Sequence, residues 1–279
     1  MENIYKKVEK CPWCGQQGKT LFSEKAYNVL KCKKCGLVWS DTVLSEHGLK
    51  EYWTNYESEV HSADAVLTEQ RKIMYRNDFD FVKPFIDSNS KVLDVGCGDG
   101  GFLDLFKEYG CSCEGTEFGE EAYRIAGRKY PMYFGELADI VFEKKYDVVL
   151  FRGTIQYLLK PQESLKKATE LLNRGGIIFI YMVNSDSICF KLFKDKFRLP
   201  VSPTDYYMFN KPLLNDLMES MGMQLMVENM PYLGTPYENW REDILEVAEA
   251  IRKSDTGDTI EKKSPPFFDT MINLIYKKK

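Results

Sequence analysis

The sequence predicts an α/β protein with a doubly wound, mostly parallel sheet and a small cysteine-bearing module in front of it. Three observations predict this fold class. From residue 91 onwards, short apolar strands alternate with amphipathic helices, and most connections between them are short. A glycine-rich turn follows the first of these strands, and two Cys-x-x-Cys pairs precede residue 45.

The chain divides into three regions. The cysteine-bearing module covers residues 1–44, and residues 45–90 form a polar, aromatic-rich connector followed by a capping helix at 64–86. The large domain covers residues 91–279 and contains an insertion at 237–265, which separates its last two strands.

Seven strands and five helices are predicted in the large domain. The strands are at 91–95, 112–117, 132–134, 146–151, 176–182, 224–229 and 267–276. The helices are at 101–109, 119–129, 161–172, 212–221 and, within the insertion, 238–252.

Composition and charge restrict the class of protein. The chain has 279 residues, of which 44% are hydrophobic, and this is enough for one large core and a small module. The net charge is −4, so no basic excess is available to hold nucleic acid by counterion release. No apolar run is long enough to span a bilayer, and the N-terminus has no apolar signal segment. We therefore expect a cytoplasmic protein with reduced cysteines and no membrane partner.

The glycine-rich turn lies in the segment VLDVGCGDGGF at residues 92–102, where a buried strand runs into a helix. Gly96 and Gly98 let the backbone approach a ligand closely, and the helix N-terminus adds the positive end of a dipole. Glu117 ends the second strand about 20 residues further on, where an acidic residue binds ribose hydroxyls in dinucleotide-binding folds. Taken alone, Glu117 could equally be a solvated loop carboxylate, but the combination favours nucleoside binding.

The same segment resembles motif I of the class I (Rossmann-like) S-adenosylmethionine-dependent methyltransferases, and the resemblance continues to about residue 229. It implies a seven-stranded sheet in which strands six and seven form an antiparallel pair at the edge. Asp94, Gly96 and Gly98 would hold the methionine end of S-adenosylmethionine, with Cys97 between the glycines. The other cofactor residues that the resemblance implies are Glu117 at the ribose, Phe118, Glu136 and Leu137 around the adenine, and Phe151, Arg152 and Gly153 closing the pocket.

The candidates for catalytic residues come from three segments. In many members of this family the segment after strand four ends in Glu-His, whereas the matching residues here are Gln156 and Tyr157. His61 precedes the capping helix, where it could reach the pocket mouth or be a solvated surface histidine. Asp205 and Tyr207 follow strand five, where relatives place substrate-facing residues, although aromatic residues in such a loop also form hydrophobic lids. The catalytic candidates are therefore His61, Tyr157, Asp205 and Tyr207.

The cysteine pairs predict a metal site. Cys11, Cys14, Cys32 and Cys35 form two Cys-x-x-Cys turns with seventeen residues between them, the arrangement of a zinc ribbon. Four cysteines leave no open coordination position, so we expect a structural Zn²⁺ that stabilises a module too small to bury a sufficient core of its own.

A ribbon in front of such a domain resembles a group of bacterial methyltransferases that act on sugars and other small molecules. We therefore predict methyl transfer to a small-molecule acceptor, a sugar or nucleotide-linked metabolite, in surface-polysaccharide or secondary-metabolite biosynthesis. The sugar C-methyltransferases of this group carry a further large C-terminal domain, which we do not expect in this chain. The alternatives are a ribosomal or transfer RNA methyltransferase that uses the ribbon as an RNA clamp, and a protein-binding adaptor. The acceptor atom and the oligomeric state stay open.

Overall fold

The structure is a computed structural model that describes residues 4–54 and 56–279. Residues 1–3 of the predicted cysteine-bearing module and residue 55 of the predicted connector lie outside the described residues. The strands are β1 (Tyr5–Lys7), β2 (Gly18–Ser23), β3 (Asn28–Cys32), β4 (Val38–Ser40), β5 (Thr42–Leu44), β6 (Lys91–Val95), β7 (Ser112–Glu117), β8 (Met132–Phe134), β9 (Tyr146–Arg152), β10 (Leu172–Val183), β11 (Tyr207–Met208), β12 (Met223–Asn229) and β13 (Met271–Lys278). The α-helices are α1 (Glu46–Thr54), α2 (Ala65–Val82), α3 (Gly101–Tyr109), α4 (Glu120–Ala126), α5 (Pro161–Leu171), α6 (Ile188–Phe193), α7 (Lys211–Ser220) and α8 (Trp240–Thr256).

The central sheet has seven strands in the order β12-β13-β10-β9-β6-β7-β8. β13 runs antiparallel to both of its neighbours, β12 and β10, and the other pairings are parallel. The predicted fold class is therefore confirmed, including the antiparallel pair of the last two strands at one edge. The strand order reverses next to β6, and ligands bind at such a switch point, beyond the carboxyl ends of the strands.

Apolar side chains cover both faces of this sheet. Residues 148–151 of β9 form a continuous apolar run that is completely or almost completely buried, as expected for a parallel strand with both faces covered. Phe79 of α2 and Phe106 of α3 meet edge to face in one core cluster, and a second cluster contains Leu165 of α5 and Leu214 of α7. These two cores hold the carboxyl ends of the strands rigidly in place.

The cysteine-bearing module shares a sheet with the large domain. β2, β3 and β4 form an antiparallel sheet, and β11 of the large domain adds to it by pairing with β4. Trp39 of β4 is completely buried, and its indole N–H donates to the carbonyl of Val8. The ring of Trp13 packs edge to face on Phe209, just after β11. The module thereby fixes the segment that precedes α7.

Some element boundaries differ from the predicted ones. β10 begins at Leu172 rather than at residue 176, because Leu172 already pairs with Tyr146 before a register shift. β13 begins at Met271 rather than at residue 267, because the ring of Phe268 packs on Tyr232 in the preceding turn. Two helices were not predicted: α1 lies in a segment without apolar periodicity, and α6 has only six residues. No helix within the described part of the chain is long and apolar enough to cross a membrane.

Candidate active site

The turn after β6 has a backbone that requires glycine. Gly96, Gly98 and Gly100 all have positive φ, at 68°, 57° and 82°. A Cβ at position 96 would lie 2.6 Å from the methyl carbon of Thr154, and one at position 100 would lie 2.8 Å from the ring of Tyr130. Only glycine fits this geometry without displacing its neighbours, and the turn leaves backbone exposed to the adjoining cavity.

A first cavity of about 370 Å³ lies beyond the carboxyl ends of β6, β7 and β9. Trp53 of α1 and the π-helical turn Glu57–His61 form the wall that covers it. Nine of the predicted cofactor residues line it: Gly96, Cys97, Gly98, Glu117, Phe118, Glu136, Leu137, Arg152 and Gly153. Two do not. Asp94 is buried beneath the glycine turn, and Phe151 is completely buried in the core with Val149, so the predicted place of Phe151 in the pocket wall is wrong.

Glu117 joins the glycine turn to the end of β7. Its carboxylate accepts hydrogen bonds from the backbone N–H groups of Gly98 at 2.8 Å, Phe118 at 2.7 Å and Gly119 at 2.9 Å. Burial raises the pKa of Glu117, although these three donors favour its charged form. A carboxylate has about four lone-pair sites, so Glu117 keeps acceptor capacity for a ligand hydroxyl group.

Three carboxyl groups, those of Glu57, Glu117 and Glu136, line the first cavity together with Arg71 and Arg152. Glu57, which sequence analysis missed, is 3% exposed, and its Oε1 accepts from Ser62 and bonds to Nδ1 of His61 at 2.8 Å. Glu136 also lines this cavity, and burial raises its pKa. Beneath the turn, burial raises the pKa of Asp94 to about 8. This group of carboxyls next to one cavity favours a cationic ligand, and His61 is engaged with Glu57 at its wall.

Arg152 lies between the first cavity and the core. Its Nε donates to Asp78 at 2.8 Å, and Asp78 also accepts from Asn273 at 2.9 Å. The guanidinium carbon lies 4.4 Å from the ring centroid of Tyr75 and 4.8 Å from that of Tyr181. This arrangement fixes the arginine and compensates its charge by a carboxylate and two aromatic faces. The signal that could have revealed Asp78 is an acidic residue among the apolar positions of α2.

A second cavity of about 390 Å³ adjoins the first. Tyr157 lines both cavities, and Tyr181, which stacks on Arg152, lines the second. Asp205 and Tyr207 also line the second cavity, so three of the four predicted catalytic residues meet there. His61 lines the first cavity instead. Ser202 Oγ donates to Asp205 at 3.1 Å, and burial together with the nearby Asp205 raises the pKa of Tyr157 well above its usual value.

The four predicted metal ligands come together in the cysteine-bearing module. The sulfur atoms of Cys11, Cys14, Cys32 and Cys35 all lie within 4.8 Å of one another. Two of the separations are 3.6 Å, between Cys11 and Cys35, and 3.4 Å, between Cys14 and Cys32. With Zn–S bonds of about 2.3 Å, the edges of a tetrahedral four-sulfur site measure about 3.8 Å. The donor set therefore fits Zn²⁺.

Comparisons with known proteins agree with this geometry. The model of the methyltransferase domain family matches residues 67–228, more than half of the chain, and the chain belongs to this family. A ubiquinone biosynthesis O-methyltransferase of Nitrosospira multiformis is 27% identical over 135 residues, which are 43% of this chain and 56% of that protein. The chain spans about half the length of the curated relatives it matches.

Two solved structures share the fold. An S-adenosylmethionine-dependent methyltransferase of Thermotoga maritima, described as a possible histamine N-methyltransferase, has a TM-score of 0.56 and 19% identity, over 81% of this chain and all of that one. Magnesium protoporphyrin IX methyltransferase of Synechocystis, with bound S-adenosylhomocysteine, has a TM-score of 0.57 and 12% identity, over 84% of this chain and all of that one. The predicted class, a Rossmann-like S-adenosylmethionine-dependent methyltransferase, is thus confirmed in family and fold.

Proposed function

We propose that the protein transfers a methyl group from S-adenosylmethionine, held in the first cavity, to a small-molecule acceptor held in the second. The observation that carries this proposal is the shared wall: Tyr157 lines both cavities, and Asp205 and Tyr207 lie on the acceptor side. Direct transfer needs the nucleophilic atom within about 3–3.5 Å of the methyl carbon, so the donor and the acceptor would have to meet beside Tyr157, where the two cavities adjoin.

The residues of the first cavity fit the cofactor. When bound, S-adenosylmethionine supplies an electrophilic methyl group on a sulfonium centre, and loss of that group leaves the neutral thioether S-adenosylhomocysteine. The glycine turn would hold the charged amino-acid end, with the carboxyl group of Asp94 beneath it, and Glu117 would accept a hydrogen bond from a ribose hydroxyl. Phe118, Glu136 and Leu137 would enclose the adenine. The three carboxyl groups of the lining support this assignment, because the sulfonium of the cofactor is a cation.

The second cavity supplies the acceptor chemistry. Asp205 would accept the proton that the acceptor's nucleophilic atom loses as it bonds to the methyl carbon. Tyr157 would orient the acceptor as a hydrogen-bond donor, since its raised pKa keeps the hydroxyl protonated. Tyr207 would pack against the acceptor as part of the aromatic wall. His61 is held by Glu57 at the first cavity, so we assign it to closing the cofactor site rather than to base catalysis.

We propose that the acceptor is a sugar or nucleotide-linked metabolite. The protein would act in the cytoplasm, in surface-polysaccharide or secondary-metabolite biosynthesis. A cavity of about 390 Å³ fits a small molecule better than a folded RNA. The resemblance to small-molecule methyltransferases with a ribbon supports the same choice. The proposed domains are the cysteine-bearing module at 1–44, the connector with its capping helix at 45–90 and the methyltransferase domain at 91–279.

The experiment that tests the function is calorimetric titration with S-adenosylmethionine, followed by an acceptor screen with sugar nucleotides and sugar phosphates. We expect one cofactor molecule per chain and formation of S-adenosylhomocysteine only when an acceptor is present. Tyr157→Phe should slow transfer, whereas Tyr123→Phe on α4 should not, because Tyr123 lines neither cavity. Absence of cofactor binding would contradict the proposal.

We propose further that the four cysteines hold one structural Zn²⁺. It would stabilise the module and, through the pairing of β4 with β11, the segment that carries Tyr207. Metal analysis should find about one zinc per chain. Cys32→Ser should lower the free energy of unfolding more than it changes turnover of the folded fraction. A metal content near zero in the wild-type protein would contradict this assignment.

A further inference from the structure

The two cavities differ in charge. Among the described residues, Arg198 and Asp205 are the charged side chains in the lining of the second cavity. The carboxylate of Asp205 already has two hydrogen-bond donors, the hydroxyl groups of Ser202 at 3.1 Å and Thr204 at 3.3 Å. Within residues 4–54 and 56–279, no carboxylate forms an ion pair with Arg198. Arg198 is therefore a half-buried cation to which no carboxylate of the described residues is paired, although Asp205 lines the same cavity.

The surroundings of Arg198 hold it in place. Its backbone N–H donates to Ser264 Oγ at 3.1 Å, which ties the segment after α6 to the loop before β13. Its guanidinium carbon lies 5.4 Å from the ring centroid of Tyr237. An arginine beside an aromatic ring keeps the N–H groups at its edge free, and two parallel N–H groups match a carboxylate or a phosphate.

The rest of the wall is mostly apolar and aromatic. Six aromatic side chains line the second cavity: Tyr157, Tyr181, Tyr207, Tyr232, Tyr237 and Phe267. Gln156 also lines it and has a buried side-chain oxygen with no hydrogen-bond partner among the described residues. Aromatic walls favour flat rings or the C–H faces of sugars, and an unpaired buried acceptor favours a ligand that brings a hydrogen-bond donor.

We infer that the acceptor is an anionic ring compound whose carboxylate or phosphate group binds Arg198 while its nucleophilic atom lies at Tyr157 and Asp205. The inference deepens the proposed function and rests on it, because it assigns the second cavity to the acceptor. Carboxyl groups outnumber arginines in the lining of the first cavity, where the cationic cofactor would bind, whereas Arg198 of the second cavity has no carboxylate partner among the described residues and is available to an anionic acceptor. The aromatic wall between these two ends holds the ring.

The test is calorimetric binding to the full chain saturated with S-adenosylhomocysteine. The probes are two matched pairs: uridine diphosphate against uridine, and 4-hydroxybenzoate against 4-hydroxybenzyl alcohol. The first pair tests a phosphate and the second a carboxylate, each against a neutral compound of the same ring. We expect at least one anionic probe to bind and its neutral partner to bind at least about 10-fold more weakly.

Variants assign the effect to one residue. Arg198→Gln should weaken binding of the anionic probe about 10- to 100-fold and leave binding of S-adenosylhomocysteine unchanged. Arg198→Lys should restore part of the loss, because it returns the charge without the paired N–H groups. The control is Arg241→Gln, since Arg241 stacks on Trp240 of α8 outside the cavity and should have no effect.

Three results would overturn the inference: equal binding of both members of each pair, an equal loss for anionic and neutral probes in Arg198→Gln, or no binding of either anionic probe. Failure of the proposed function has a different signature, since S-adenosylhomocysteine itself would not bind. If an anionic probe binds through Arg198 but S-adenosylhomocysteine does not bind, the anion site is supported and the methyltransferase assignment is contradicted.

Discussion

The two cavities are built in different ways, although they have almost the same volume and share Tyr157. The first is formed by the ends of neighbouring parallel strands, with glycine at each tight turn and carboxyl groups around it. The second is assembled from segments far apart in the chain, at 156–157, 181–183, 198–208, 231–237 and 266–271. The regular geometry of the parallel sheet therefore fixes the place of the proposed donor site, whereas the connections between later strands shape the proposed acceptor site.

Asp205→Asn is expected to have the largest effect and to separate the two cavities most clearly. Loss of a general base should lower the rate of methyl transfer by about 10²- to 10⁴-fold. The affinity for S-adenosylmethionine should not change, because Asp205 does not line the first cavity. Single-turnover transfer and calorimetry measure the two quantities. The control is Asp195→Asn, whose carboxylate is on the surface with Lys196.

A loss of cofactor affinity in Asp205→Asn as large as the loss of rate would show that the two cavities are not separate sites. An unchanged rate would remove Asp205 from the proposed chemistry.

Arg152→Met tests the buried ion pair beside the first cavity, where Arg152 stacks on Tyr181 of the second. The substitution would leave the buried carboxylate of Asp78 without its partner, which costs about 3–5 kcal/mol of unfolding free energy. Adding Asp78→Asn should recover most of that loss, because the remaining amide can still accept from Asn273. Urea denaturation of the two single variants and the double variant gives these values. If the double variant is no more stable than Arg152→Met, the loss does not come from the unpaired carboxylate of Asp78.

Glu117→Gln sharpens the assignment of the first cavity. The amide keeps one oxygen acceptor for the backbone N–H groups but removes the charge, so cofactor binding should weaken about 10- to 100-fold. Glu117→Ala is a poorer test, since it would also leave three backbone donors unpaired. Glu120→Gln, at an exposed position of α4, is the matched control in calorimetric titration. Wild-type affinity in Glu117→Gln would exclude Glu117 from cofactor recognition.

The pH dependence of cofactor binding has the smallest expected effect. The pKa of Asp94 lies at about 8, so its carboxyl group is mostly protonated below that pH. A cationic ligand favours the ionised form, and binding should therefore strengthen as the pH rises from 6 to 8, by at most about tenfold in all, because Asp94 lies beneath the glycine turn and outside the cavity lining. Asp94→Asn should remove this dependence. A dependence of equal slope in the variant would place the titrating group elsewhere.

The first cavity could be predicted well because its signals are local. Gly96, Gly98 and Glu117 lie on one strand–turn–helix unit and the next strand, and a parallel sheet brings such positions together wherever it forms. Glu57 could not be predicted, because it lies in a π-helical turn without periodicity, which the long-range hydrogen bonds from Ser58 to Glu121 of α4 hold in place. Phe151 was misplaced because alternate residues of a strand face opposite sides of the sheet.

The second cavity could be predicted only in part. Tyr157, Asp205 and Tyr207 were found from their places relative to the strands, but their partners Tyr181 and Arg198 carry no local signal. Tyr207 lies in β11, which pairs with β4 of the cysteine-bearing module. Composition does not reveal a long-range pairing of this kind. The four metal-ligand cysteines, in contrast, could be predicted from sequence, because the spacing of two Cys-x-x-Cys turns is enough to indicate a tetrahedral site.

The most direct test of the two-cavity account is a crystal structure with S-adenosylhomocysteine. The account predicts the ribose hydroxyls at the carboxylate of Glu117, the amino-acid end at Gly96 and Gly98, and the sulfur atom facing the second cavity beside Tyr157. A ligand whose sulfur is walled off from that cavity, or one bound away from the glycine turn, would contradict it.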